Sequence, residues 1–258
     1  MNQQFDFTLL KFTEILDSLI DNGYSFQTLE EFVSGPDEKV VIIRHDVDRS
    51  PVNSLLTAKL ENIKGIKGTY YFRIVKQSNN RAVIKEIAEL GHEIGYHYED
   101  LALSHGVYEN AINAFESNLN YFRTFYPVKT ICMHGSPTSK WDNRDLWKKY
   151  SYKDFGIIAE PYFDIDYSKV LYLTDTGRNW DGEKSSVRDK VFQGKFLSIK
   201  EKLKNSDDIL EAVSSNEMPR LLMMTVHPQR WSDNIFIWMR EYSTQKLKNI
   251  VKQLIFVR

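Results

Sequence analysis

Apolar positions along this chain switch repeatedly between the three-to-four step of a helix and the short continuous run of a strand. Leu9, Phe12, Leu16, Leu19 and Ile20 share one helical face, and Asn22-Gly23 ends it. Val40-Val41-Ile42-Ile43 is an unbroken apolar run and predicts a buried strand. Ser50-Pro51 then predicts a helix start, with Ser50 as N-cap and Pro51 at the first position, continued by Val52, Leu55, Leu56, Lys59, Leu60 and Ile63. The β-branched and aromatic stretch from Thr69 to Val75 predicts a second strand. Val83, Ile84, Ile87 and Ala88 predict a helix closed at Gly91, and His92 to His97 a short strand. Ala111, Ile112, Phe115, Leu119 and Phe122 mark another helix. Further strands are predicted at 130–134, 156–159, 170–174 and 221–227, before a long terminal helix carrying Met239, Tyr242, Leu247, Ile250 and Leu254.

Strand and helix patterns alternate about seven times, which predicts an α/β fold with a parallel sheet, open or closed as a barrel. No linker rich in Pro, Gly or Ser and no repeat interrupts the pattern, so residues 1–258 read as one domain. In such folds the functional residues gather at the C-terminal ends of the strands. Asp46, Asp48, His97, His134, Asp175 and His227 all fall at or just after a predicted strand end.

Composition narrows the chemistry. Lys+Arg (34) and Asp+Glu (35) balance, so charge favours neither nucleic acid nor an acidic polymer as partner. Cys132 is the only cysteine, so no internal disulfide forms, as suits a reducing compartment. There is no basic leader followed by an apolar stretch, and no apolar run near the ~20 residues of a membrane helix. A soluble, cytoplasmic protein is expected, with no membrane span. Glycine-rich phosphate loops, serine-nucleophile elbows and CxxC ribbons are absent. The aromatic share of 13% suits a carbohydrate site, although most of these rings belong in a core.

All histidines but His105 sit in a few short segments that read as one metal site. In Arg44-His45-Asp46-Val47-Asp48, the two aspartates are two residues apart and share a face at a strand's end. Two carboxylates there, with histidines arriving from other strands, make a cradle for a divalent metal and a general base. The competing structural role is an ion pair with Arg44 or Arg49, or a cap on the following helix.

The order of segments resembles the polysaccharide deacetylase family, also known as NodB-homology or carbohydrate esterase family 4. Gly91-His92-Glu93-Ile94-Gly95-Tyr96-His97 is similar to that family's Gly-His-Glu-Ile-Gly-x-His block. Arg44 to Asp48 stands at its first-strand aspartate pair, Gly68-Thr69-Tyr70-Tyr71-Phe72 at its second strand, Met133-His134-Gly135-Ser136-Pro137 at an Arg-x-Pro-Tyr position, and Val226-His227-Pro228 at its last-strand histidine. The likeness spans roughly residues 40–228. It implies a distorted (β/α) barrel of about seven parallel strands, with an N-terminal helix and a long C-terminal helix added. It also implies a metal-dependent hydrolase that deacetylates an N- or O-acetylated sugar.

Two departures mark a divergent His-Asp-Val-Asp branch, of a kind associated with surface-polysaccharide biosynthesis. Val47 separates aspartates that are adjacent in the family, and Leu101 stands four residues after His97, where the family has its second metal histidine. The resemblance implies Asp48 and His97 as metal ligands; His134, an imidazole at a strand end, is favoured for the missing third place, with Glu99 and Asp100 in reserve. Zinc suits this donor set, with cobalt, nickel or manganese as alternatives. Asp46 is then the base, although the inserted valine leaves the two aspartates interchangeable. His227 is the general acid, oriented by Asp175. Arg178 and Trp180 are substrate-binding candidates, for an anionic group and a sugar face. His92 reads as structural, His105 as exposed, and Cys132 as core. The expected partner is a small-molecule or oligosaccharide substrate. Two rivals remain: a glycan- or partner-binding protein on the same fold without turnover, and a hydrolase of a small non-sugar amide or imide.

Overall fold

The computed structural model describes residues 5–136, 138–180, 188 and 190–256, with side chains to residue 250; Pro137 of the Met133 segment lies outside them. Seven parallel strands form one sheet: β1 (Ser25–Phe26), β2 (Val40–Val47), β3 (Thr69–Phe72), β4 (Glu93–Tyr98), β5 (Ile131–Met133), β6 (Leu171–Thr174) and β7 (Leu221–Val226). Their spatial order is β5-β4-β3-β2-β7-β6, with β1 beside the first residues of β2. Helices α1 (Leu9–Asp21), α2 (Leu29–Ser34), α3 (Pro51–Ile63), α4 (Arg81–Glu89), α5 (Asp100–Leu103), α6 (Tyr108–Arg123), α7 (Pro161–Asp164), α8 (Leu197–Lys200), α9 (Ser206–Ser214) and α10 (Ile235–Phe256) fill the connections and the C-terminal end.

The expected strand at 156–159 is reduced to a single bridge, Thr130 to Ala159. Glu160 ends it by capping α7, where its side chain accepts from the Tyr162 N–H. β1 is too short for any periodicity to announce.

Every residue of β2 is buried, because both of its faces are covered. Val40 and Ile42 point inward with Tyr71, Cys132, Tyr172 and Met223. Val41 and Ile43 point outward against α1 and α9, through Phe12, Leu16 and Ile209. The outward face of β3 to β5 packs on α4 and α6 through Ile84, Ile87, Phe115 and Phe122.

Helix α3 inverts the usual arrangement. Its apolar Val52, Leu56 and Ile63 are exposed, whereas Ser54, Thr57, Ala58 and Glu61 are buried. Glu61 explains this: it meets His45 Nε2 at 2.6 Å and accepts from the Tyr70 hydroxyl at 2.7 Å. Ser50, expected as an N-cap, is left-handed (φ 56°) and makes no side-chain cap bond, so Pro51 alone starts this helix.

The sheet is strongly curled into a distorted (β/α) barrel. Laid flat, β5 and β7 would stand about 19 Å apart, four strand spacings. Yet His134 after β5 and His227 after β7 both come within 3.8 Å of one carboxylate, that of Asp48. The seam between β5 and β6 is covered by Ala159, Ile165 and Tyr167 rather than by a further strand.

Candidate metal centre

Inward-facing residues at the C-terminal strand ends build the site, and alternation within each strand selects them. On β4, Ile94, Tyr96 and Tyr98 face the helices, leaving Glu93, Gly95 and His97 for the interior. Glu93 is a strut: it accepts from the hydroxyls of Thr69 and Thr130 and from the Glu30 N–H. Gly95 leaves room for Tyr71, whose ring a Cβ there would meet at 2.2 Å. His97 then reaches the site. Its Nδ1–H donates to the Cys132 carbonyl at 2.9 Å, which leaves the Nε2 lone pair facing inward.

His134 and His227 repeat this arrangement. His134 Nδ1 lies 2.9 Å from Glu99 Oε2, and His227 Nδ1 lies 2.6 Å from Asp175 Oδ1. Each carboxylate accepts the Nδ1 proton and turns Nε2 toward Asp48. The three Nε2 atoms lie 3.6 Å (His97), 3.4 Å (His134) and 3.8 Å (His227) from the Asp48 carboxylate. Asp48 Oδ1 is itself buried and has no hydrogen bond. A buried carboxylate oxygen facing imidazole lone pairs is unfavourable unless a cation lies between them. A first-row divalent ion with ligands at ~2.0–2.2 Å fits that need, and imidazoles fixed through Nδ1 by a carbonyl or carboxylate are how proteins orient metal histidines. Asp48, His97 and His134 therefore fit a metal. Burial opposes ionisation of Asp48, but the polar contact with His97 and the positive charge that His134, His227 and His97 carry when protonated outweigh it and hold the carboxyl well below its ordinary range.

Asp46 differs from Asp48. Both of its oxygens accept from the fully buried Arg44, at 2.8 and 2.6 Å, in a two-pronged pair within one strand. Arg44 and the nearby His97 overcome burial and keep Asp46 ionised. Oδ2 stays 3.7 Å from His97 Nε2, so Asp46 borders the site with its charge already matched. One oxygen of Asp46, a ring nitrogen of His97 and Cys132 Sγ also lie within 4.8 Å of one another. The Arg44 guanidinium beside Asp46 disfavours a cation there, so the Asp48 set is the better cradle.

Around the rim, Asp175 is fully buried and accepts from the His227 N–H, Arg230 Nη1 and Trp231 Nε1, besides touching the His227 ring. Arg230 Nη1 also lies 3.2 Å from His227 Nδ1, but its short bonds go to Asp175. Glu99 is taken up by Arg73, His134 and Ser136, and its carboxyl is held down at about 2, since His134 and Arg73 outweigh burial. Asp100 accepts from Tyr96 and Asn118, and burial raises its carboxyl to about 6. Neither reserve ligand is available to a metal.

Several expectations are corrected. Trp180 is fully buried, packs against Phe7 and Trp231, and donates to Ser206, so it offers no face to a sugar. Arg178 donates to the Arg230 and Asp6 carbonyls and lies over Phe7, Trp238 and Tyr242; it ties α10 to the barrel instead of lining the site. His45 lies in the helix layer rather than at the site, and His92 has the structural place expected of it. His45 pairs with Glu61, while His92 accepts from the Gly68 N–H and contacts the Ala58 carbonyl. The ion pair with Arg44, weighed as the competing role for the aspartates, is present at Asp46; Arg73 and Arg230 were missed, since nothing in the sequence distinguishes an arginine that braces a carboxylate from one in water.

No family model matches the chain, and no curated protein matches it. Among solved structures, the Xyl-CE4 domain of a multidomain xylanase from the hindgut metagenome of Trinervitermes trinervoides is similar at 12% identity. That match covers 84% of this chain and 85% of that one, with a TM-score of 0.41.

Proposed function

We propose that this protein is a metal-dependent hydrolase that removes an N- or O-acetyl group from a sugar, in the building of a surface polysaccharide. The convergence of three Nδ1-anchored imidazoles on the Asp48 carboxylate, whose Oδ1 is buried without a hydrogen bond, carries this reading. Sugar as the substrate class is supported by the Gly-His-Glu-Ile-Gly-x-His resemblance.

Asp48, His97 and His134 would hold the divalent cation, with zinc first for a mixed imidazole and carboxylate set. Bound there, it would supply Lewis acidity toward the acetyl oxygen and the attacking water. Asp46, held ionised and oriented by Arg44, takes a proton from that water as its oxygen bonds to the acetyl carbon. His227 gives a proton from Nε2 to the departing amine or alkoxide as the bond to the acetyl carbon breaks. Asp175 keeps the other proton on Nδ1 and stabilises the imidazolium between turnovers.

The test is metal content by elemental analysis, wild type beside Asp48→Ala and His97→Ala, with acetate release from acetylated sugars measured in parallel. One divalent ion per chain, lost together with acetate release in both variants, is expected. Undiminished acetate release from chelated, metal-free protein would overturn the reading. Failure of the wild type to take up zinc, cobalt or nickel would leave a glycan-binding protein on this fold, in which Leu101 stands four residues after His97.

A further inference from the structure

A cleft of about 530 Å³ opens directly beside the convergent histidines. That lies within the roughly 300–1,000 Å³ of ligand sites. His134 and Glu99 form its inner end, and Arg73, His105, Lys140 and Trp141 line its walls.

Two observations define what it suits. The first is charge. Glu99 is the only carboxylate among the described lining residues, and Arg73 and His134 already engage it. Lys140 is exposed and has no hydrogen bond or ion pair among the described residues; its ammonium rests 4.6 Å from the centre of the Trp141 ring. Among the described lining residues, an incoming anion therefore meets a cation and no unmatched negative charge.

The second is the fixed indole. Gly106 has φ +80°, and a Cβ there would lie 2.0 Å from Trp141 Nε1. The His105 ring stands against the same indole at 5.9 Å. Glycine thus seats a half-buried aromatic plate across the cleft from the metal histidines.

We propose that this cleft binds a sugar carrying an anionic group, a phosphate or a carboxylate. The Lys140 ammonium leaves the indole for the anion, the Trp141 ring lies against the sugar, and the acetyl group faces the histidines. The assignment rests on the deacetylase reading of the adjoining site.

Calorimetry on metal-loaded protein tests it with three probes: methyl N-acetylglucosaminide, N-acetylglucosamine 1-phosphate and N-acetylmuramic acid. At least one anionic probe should bind about tenfold or more tightly than the neutral one, the scale of one charge-assisted hydrogen bond. Which of them does so separates phosphate from carboxylate. Lys140→Ala should abolish that preference, bringing the anionic probe down to the affinity of the neutral one, whereas Trp141→Ala should weaken all three. Equal binding of the three by the wild type would overturn the proposal. So would an anion preference that survives Lys140→Ala, since the anion would then sit on the metal. Acetate release is read separately. Release without anion preference upholds the deacetylase and sinks the cleft assignment; Lys140-dependent preference without release does the reverse.

Discussion

Arg44 and Asp46 show how far a single residue's role depends on its neighbour. Side by side on one inward face, they neutralise each other in a dry interior. Arg44→Met should cost about 3–5 kcal/mol, because it strands a buried carboxylate, and adding Asp46→Asn should recover most of that. Denaturant midpoints of the single and double variants measure it. Glu160 is a different kind of buried acid. It accepts from the Met133 and Tyr162 N–H groups, yet burial raises its carboxyl to about 7. The folded state therefore keeps a proton that the unfolded chain releases near its ordinary 4.5. Stability from this group is full below that value and lost as pH rises toward 7, about 3 kcal/mol in all. Glu160→Gln should flatten the stability–pH curve across that window, and melting temperatures from pH 4 to 8 (about half-unit steps) check it. At this scale the sequence was legible where strand-end position and chemistry coincide, as at His97, His134 and Asp175. It was opaque for tryptophans: Trp180 lies in the core and Trp141 in a cleft, and nothing within either segment tells them apart.

Among the elements, the helices with apolar inner faces were readable from periodicity: α1, α4 and α6 bury most of the positions their spacing marks, with Ile20 at the end of α1 exposed and Leu9, Ala88 and Ile112 half-buried. Helix α3 was readable as a helix but not in its orientation, because a polar network with His45 and Tyr70 overrides its apolar positions. Strand β4 combines both lessons, since a strut, a gap and a ligand alternate along it. Gly95→Ala puts a methyl group into the Tyr71 ring and near the Thr130 carbonyl, where only the ring can give. A loss of about 1–3 kcal/mol is expected, with the Tyr71 to Thr130 hydrogen bond broken. Thermal unfolding checks the loss, and restoration by a compensating Tyr71→Leu, which removes the ring, would tie it to that contact.

For the molecule as a whole, parallel topology was legible from alternation, but curl was not. Periodicity reports which face of a strand is buried, not how far the sheet bends. The site depends on that bend: a flat sheet with the same residues would keep His134 and His227 too far apart to share Asp48. The strand order carries a second consequence, in time rather than space. β2 is clasped between β3 and β7, and Val40 pairs with Leu221. At ~5–20 residues per second on the ribosome, the second partner arrives about 150 residues, or roughly 7–30 seconds, after the first is available. Through that interval Val40-Val41-Ile42-Ile43 presents an open apolar strand edge, the kind of surface that nascent-chain chaperones cover. Synthesis speed over the stretch between β3 and β7 thus sets how long this chain is vulnerable to its own neighbours.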